Sequence, residues 1–152
     1  MPRPGWLLCV AMAAACGDGD PADPVAPDPS VEPFVGDWEA EEFRVASAAA
    51  PQSEFELIAE GGSFTINVQP SGQYTAILEL PDLPTPQVEI GQLSVIGESV
   101  RLDPQDAAAA TSSFEFDGPD RVILDGPTEF DFNRDGTVEE ATAHIVLERQ
   151  SG

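Results

Sequence analysis

Alternation of apolar and polar residues is the feature that most narrows the fold of this chain. Phe64, Ile66 and Val68 are separated by single polar residues. Residues 114–116 and 130–132 each place one acidic residue between two phenylalanines. A period of two puts successive side chains on opposite faces of an extended backbone, so each segment indicates a β-strand with one buried face.

Turn-forming residues separate further candidate strands along the rest of the chain. Pairs and clusters of Gly, Pro, Asn and Asp recur at short intervals, for example at 70–72, 97–98, 126–127 and 133–136. Such spacing favours hairpins over crossover helices. Asp106 to Ala110 offers a capped helical turn too short to be an independent helix. The additional strands are predicted at 36–46, 54–59, 73–80, 87–96, 99–103, 120–125 and 138–149.

The predicted fold class is therefore an all-β, antiparallel, up-and-down meander. A meander of many short strands must bury its edges, either by closing into a barrel or by folding over as a sandwich. Periodicity alone does not choose between the two.

A resemblance favours the barrel. Gly36-Asp37-Trp38, just inside the first predicted strand, resembles the Gly-x-Trp motif that opens lipocalin and wider calycin domains. Arg149, near the end of the last strand, stands where those families put an arginine across the tryptophan. The resemblance implies a lipocalin-like barrel over 34–152, with Gly36, Trp38 and Arg149 in structural roles and residues 47–53 as the loop over its mouth. The Thr-Asp-Tyr motif of lipocalins is absent.

The first fifteen residues have the layout of a secretory signal peptide. Arg3 precedes an apolar stretch from Trp6 to Ala15 that ends in small residues. This stretch is about half as long as a membrane-spanning helix requires, so removal is expected rather than a permanent transmembrane anchor. We therefore assign 1–15 to a signal peptide.

The residues after that signal predict a lipid anchor on a spacer. Ala14-Ala15-Cys16-Gly17 resembles the lipobox of bacterial lipoproteins, which implies lipidation of Cys16; plain secretion is the alternative. Residues 16–33 are rich in Pro and Asp and predict a disordered linker. The expected location is the bacterial cell envelope, extracytoplasmic and tethered to a membrane. The other cysteine, Cys9, would leave with the signal peptide, so no disulfide is expected.

The negative charge of the chain argues against polyanionic partners. The chain has a formal net charge of −22 and no lysine. Nucleic acids and anionic headgroups are bound by basic surfaces, so neither is an expected partner. Solubility outside the cytoplasm explains most of this charge, and cations are the remaining candidates.

One acidic segment resembles the start of a calcium-binding loop. Asp131, Asn133, Asp135 and Gly136 match its first ligand positions and its turn glycine. Thr137 and Glu139 complete the candidate ligand set, whereas Thr142 stands where a bidentate glutamate is expected. A metal-free Asx turn in a β-hairpin is the alternative. Calcium is the one cofactor predicted, in a structural role.

The predicted function is non-enzymatic, because His144 is the single neutral-pH base and no nucleophile motif accompanies it. We expect a monomeric carrier that binds a small apolar ligand inside the barrel. The alternative is an interaction or scaffold domain with a filled core and a calcium-stabilised hairpin. A cavity of a few hundred Å³ separates the two hypotheses. Residues predicted to line the barrel are Phe64, Ile66, Tyr74, Phe114, Phe116, Phe130 and Ile145.

Overall fold

The computed structural model describes residues 28–152, which form nine antiparallel strands preceded by a short 3-10 helix. The signal peptide, Cys16 and most of the predicted linker lie outside the described residues. The 3-10 helix is Pro29–Phe34. The strands are β1 (Gly36–Ser47), β2 (Glu54–Glu56), β3 (Ser63–Val68), β4 (Gln73–Glu79), β5 (Gln87–Ile96), β6 (Ser99–Pro104), β7 (Ala110–Phe116), β8 (Arg121–Phe130) and β9 (Glu139–Arg149).

The strands close into a barrel. Each strand from β3 to β8 pairs with the next along the chain, and β1 pairs with both β3 and β9. The closed ring therefore has eight strands, while β2 pairs only with the second half of β1. The predicted antiparallel meander is confirmed, and the barrel is correct where the sandwich is not.

A bulge in β1 keeps its apolar residues inside. The register between β1 and β9 shifts between Ala40 and Glu42. Trp38 and Ala40 face inward before the shift, and Phe43 and Val45 face inward after it. An extra residue in one strand reverses the side-chain alternation beyond it. The polar residues between these positions consequently stay at the surface.

The turn predicted at Gly126-Pro127 is wrong, whereas the strand predicted over 120–125 is confirmed and continues through these residues. The turn does not form, because β8 runs unbroken from Arg121 to Phe130 and pairs Pro127 with Thr142 on β9. On its other side β8 pairs with β7 only at 122–125. Proline lacks an N–H and is tolerated where a strand is paired on one side. The predicted strand over 130–132 is wrong, because β8 ends at Phe130, and Asp131 and Phe132 lie in the following loop.

The boundary predicted between linker and domain also needs correction. Residues 29–33 were expected in the disordered linker, but they form most of the 3-10 helix. Val31 is completely buried and Phe34 nearly so. Asp28 caps the helix by accepting a hydrogen bond from the backbone N–H of Ser30 at 2.9 Å. The ordered domain therefore begins by Pro29, because Val31 completes the core.

Within residues 28–152, no helix has the length and apolar character needed to cross a bilayer.

Candidate functional site

One end of the barrel is closed by the motif residues. The Arg149 guanidinium lies 4.2 Å from the centre of the Trp38 ring, and Arg149 Nη2 donates a hydrogen bond to the Pro33 carbonyl at 2.8 Å. Arg149 Nη1 also donates to the Val35 carbonyl. The indole Nε1 of Trp38 donates to the Phe34 carbonyl at 2.7 Å. These contacts fix the 3-10 helix across this opening, which we call the closed end.

Gly36 is required by this arrangement for two reasons. Its φ is +128°, a region that side chains disfavour. A Cβ built on Gly36 would also lie 2.8 Å from Arg149 Nη1. The glycine of the Gly-x-Trp motif therefore makes room for the arginine that covers the tryptophan.

The core next to the closed end is filled. Phe34 lies with its ring centroid 5.0 Å from those of both Phe114 and Phe116. The residual cavity among these core side chains, which include Trp38 and Val122, is only about 20 Å³. A space of this size holds no organic ligand.

The opposite half of the barrel contains two much larger spaces, both partly open to solvent. The interior cavity has a volume of about 410 Å³. The mouth cavity beyond it has a volume of about 670 Å³. Leu78 and Gln87 line both, so the two spaces adjoin. The interior cavity is lined mainly by Phe43, Phe64, Leu78, Leu102, Ala143 and Ile145.

Aromatic side chains form one wall of the mouth cavity. Phe55 on β2 stacks on Phe130 with ring centroids 5.0 Å apart, and Phe132 meets Phe130 at the same distance. Leu80, Leu83 and Val138 complete much of the apolar lining. Leu83 and Val138 are exposed, with 46% and 55% of their surface accessible. The predicted mouth loop 47–53 follows the end of β1 on this side of the barrel, and β2 comes directly after it.

The carboxylate of Glu89 lines the interior cavity, on its solvent-accessible side. Residues directly opposite each other in an antiparallel pair share one face of the sheet. Glu89 pairs with the inward-facing Ala76, and Gln87 pairs with the inward-facing Leu78. Glu89 Oε1 accepts a hydrogen bond from the Tyr74 hydroxyl at 2.7 Å. Glu89 is therefore a polar group within an otherwise largely apolar cavity.

Sequence reasoning missed Glu89 because β5 reverses the usual pattern. Val88 and Ile90 face outward and are 61% and 41% exposed, although apolar residues of a strand normally face the core. Gly91 sets this register, because a Cβ there would lie 2.5 Å from the Asp103 carbonyl oxygen and 2.8 Å from the Tyr74 hydroxyl. Gln87 and Glu89 share the alternation of Gly91, so a strand with its polar residues facing inward could have been predicted from these three positions.

Tyr74 connects the filled core to this carboxylate. Its side chain is almost fully buried. Burial is the main cause that raises the pKa of the Tyr74 hydroxyl, with further increases from the hydrogen bond to Glu89 and from the charges of Glu89 and Asp103. The hydroxyl therefore stays protonated and remains a donor to Glu89.

The predicted calcium residues lie in the loop between β8 and β9. Asp131 accepts hydrogen bonds from the backbone N–H groups of Asp135 and Gly136, at 3.2 and 2.8 Å. Asp135 accepts from the N–H of Thr137 at 2.8 Å, and the Asn133 side chain donates to Glu139 at 3.4 Å. No cluster of three or more His, Cys, Asp or Glu side chains arranged for a metal occurs in the described part of the chain. Calcium binding stays a prediction.

His144 lies on the outside of β9. Its Nδ1 is 2.6 Å from Asp125 Oδ1 on the neighbouring strand. Both residues are accessible, and neither lines the interior or the mouth cavity. This pair is separate from the candidate binding site.

Comparison with known proteins provides no argument about the function of this chain. No family model matches the chain, and no curated protein matches it either. A solved structure titled "Odorant Binding Protein OBP1" is similar, with 16% sequence identity and a TM-score of 0.45 over 78% of this chain and 72% of that one. The barrel assignment rests on the strand pairing of this chain and not on that likeness.

Proposed function

We propose that this domain is a binding protein for a small apolar molecule, which it holds in the interior cavity. The observation that carries the proposal is the interior cavity, whose volume of about 410 Å³ falls within the usual range for small-molecule sites, about 300–1,000 Å³. Eight-stranded barrels have interiors that are either filled by side chains or able to hold one small ligand. In this barrel, one half is filled by side chains and the other half has space for a small ligand.

The mouth cavity supports an entry route. It adjoins the interior cavity and is open to solvent past the exposed Leu83 and Val138. An apolar molecule that moves from water along Phe55 and Phe130 into the barrel gains about 25 cal/mol for each Å² of apolar surface removed from water. The hydrophobic effect would therefore drive binding, without a need for a metal or covalent step.

The experiment is a fluorescence titration of the full chain with nile red, a neutral dye that brightens in apolar surroundings. Ala110 lines the interior cavity and is exposed, so Ala110→Trp places an indole in the cavity without removing a core side chain. Ala109→Trp is the matched control, because Ala109 is exposed and lines neither cavity.

We expect saturable binding to the parent protein and to Ala109→Trp, with affinity weaker by about tenfold or more in Ala110→Trp because the ligand would lose its contacts in the cavity. Equal binding by both variants would contradict the proposal. Absence of saturable binding to the parent would instead favour the scaffold alternative, in which exposed surfaces contact an envelope partner.

We also propose that the chain reaches the cell envelope and is anchored through a lipid on Cys16. Support comes from the sequence alone, namely the apolar leader and the lipobox-like residues around Cys16. Mass spectrometry of the mature N-terminal peptide tests it. A diacylglyceryl group on Cys16, lost together with membrane association in Cys16→Ser, is the expected result; an unmodified mature N-terminus would favour plain secretion.

A structural calcium ion in the loop of Asp131 and Asp135 remains a separate proposal. Its support is the spacing of Asp131, Asn133 and Asp135 ahead of Gly136 in the sequence. Binding there would order the rim of the mouth cavity, since Asp131 and Gly136 both line it.

A further inference from the structure

We propose that the interior cavity selects small apolar molecules that carry a cationic amine, and that the carboxylate of Glu89 binds the amine. This inference rests on the proposed ligand-binding function and specifies its ligand class. The observation that carries it is an accessible carboxylate on the wall of a cavity large enough for a ligand, with no cation among the residues that line this cavity.

The charge of Glu89 has no internal counterion. The ion pairs within residues 28–152 do not include Glu89. The described residues that line the interior cavity include two acids, Glu89 and Asp106, and no Arg, Lys or His. Glu89 is solvent-accessible on the open side of the cavity, where a ligand cation can reach it, and the cavity lining supplies no cation of its own.

Tyr74 orients this carboxylate rather than neutralising it. The Tyr74 hydroxyl donates to one oxygen, Oε1, at 2.7 Å. Ionised carboxylates accept several hydrogen bonds through their two oxygens, so the second oxygen remains free to accept from a ligand. Gly91 keeps the space beside the hydroxyl open, because a side chain there would collide with it. Tyr74 is accordingly a positioning residue for Glu89.

The mouth cavity, which leads into the interior cavity, is negatively charged like Glu89. Glu54, Asp82, Glu129 and Asp131 line the mouth cavity together with one base, Arg134. Arg134 already pairs with Asp82, with 2.6 Å between Nη2 and Oδ2. A chain with a net charge of −22 attracts cations and repels fatty-acid carboxylates. Charge at the entrance and charge in the interior therefore favour the same class of ligand.

The alternative ligand classes are weaker fits. A fatty acid would bring a second carboxylate close to Glu89, and like charges at short distance are unfavourable. A fatty alcohol could donate one neutral hydrogen bond to Glu89. An alkylamine is protonated at neutral pH, since such amines titrate near pH 10.4 or so, and its charge-assisted hydrogen bond would be about twice as strong as a neutral one.

The test is displacement of bound nile red from the full chain by octylamine, octanol and octanoate, which share one alkyl tail. We expect octylamine to compete at about tenfold lower concentration than octanol, and octanoate to be the weakest of the three. Glu89→Gln keeps the shape of the side chain and an acceptor for Tyr74, but removes the charge. It should abolish the advantage of octylamine while nile red still binds.

A matched control separates Glu89 from the general acidity of the protein. Glu115 lies on the outer face of β7 and lines neither cavity, so Glu115→Gln removes the same charge elsewhere and should leave the advantage of octylamine intact. Glu89→Lys provides a second variant, in which octanoate should become the strongest competitor.

The outcomes distinguish this inference from the function on which it rests. Saturable nile red binding combined with equal competition by all three octyl compounds, or an octylamine advantage that survives in both Glu89 variants, would overturn the amine proposal alone. Failure of the parent protein to bind nile red would overturn both.

Discussion

The two halves of this barrel use the same strands for opposite purposes. At the closed end, aromatic side chains and the 3-10 helix fill the interior and leave a residual cavity of about 20 Å³. In the other half, the interior cavity alone is about 410 Å³. Filled interiors contribute dispersion contacts and buried apolar area, whereas a cavity forgoes them. We infer that stability is concentrated in one half and binding capacity in the other.

Matched phenylalanines provide the largest test of this comparison. Phe34 at the closed end and Phe130 at the mouth each lie 5.0 Å from two other phenylalanine rings. Phe34 is 4% exposed. Phe34→Ala should lower the free energy of unfolding by about 3–5 kcal/mol, as for other buried phenylalanines. Phe130→Ala should cost clearly less, because its half-buried ring already borders a cavity. Urea unfolding of both variants measures the difference, and equal costs would break the comparison.

Arg149 provides the next largest effect. Arg149→Ala should lower the free energy of unfolding by about 2 kcal/mol, because it leaves the Pro33 and Val35 carbonyls without their donor and exposes the Trp38 ring. Arg149→Lys should recover only part of this loss, because an ammonium group lacks the planar donor fork.

Arg101→Ala is the control for loss of a positive charge. The Arg101 side chain is 45% exposed and lies 3.9 Å from Asp103. An exposed pair of this kind contributes between about 0 and 1 kcal/mol. If Arg101→Ala and Arg149→Ala had equal effects in thermal unfolding, closure of the barrel by Arg149 would be refuted.

The hydroxyl of Tyr74, at the boundary between the filled core and the interior cavity, gives a pH-dependent contribution to stability. Because burial raises the pKa of its hydroxyl, the folded state holds that proton more tightly than the unfolded state. This contribution to stability is present below the ordinary tyrosine pKa and should decline as pH rises above about 10. Tyr74→Phe removes the titrating group together with a hydrogen bond worth about 1 kcal/mol.

The measurement for Tyr74 is chemical unfolding at neutral and alkaline pH. The parent protein should lose more stability than Tyr74→Phe at alkaline pH. Tyr74 is the only tyrosine in the chain, so its ultraviolet absorbance reports the phenolate directly. Titration of the folded protein with an ordinary tyrosine pKa would contradict the account of this boundary.

Calcium at the rim of the mouth cavity gives the smallest expected effect. For a dissociation constant near 10⁻³ M, calcium at the same concentration would stabilise the folded state by about 0.4 kcal/mol. Asp135→Ala should abolish that increment, and Glu115→Gln should retain it. An unchanged unfolding midpoint with and without calcium would leave the turn as a metal-free Asx motif.

The sequence predicted the closed end better than the cavity. Period-two alternation and turn residues led to the meander, and Trp38 and Arg149 were placed at its closure through a family resemblance; both now lie in contact. The residues predicted to line a single interior fall into two regions of the structure. Phe114 and Phe116 belong to the filled core, whereas Phe64 lines the interior cavity.

The features of the cavity that the sequence did not predict depend on the pairing register of the strands. Whether Glu89 or its neighbours Val88 and Ile90 face inward changes with a shift of one residue in β5. The packing of Gly91 against Tyr74 decides it, and that contact forms only once the neighbouring strands β4 and β5 have paired in this register. The continuity of β8 through Pro127 likewise depends on where β7 stops pairing.

The central claim is that a ligand binds in one half of the barrel and leaves the other half unchanged. Methyl NMR spectra of the protein titrated with octanol test it most directly. We predict saturable shifts for Leu78 and Ile145, which line the interior cavity, and none for Val68, Val100 or Val122 in the filled core. Shifts confined to outward-facing residues that line neither cavity, such as Ile77 and Ile96, or equal shifts in both halves, would contradict it.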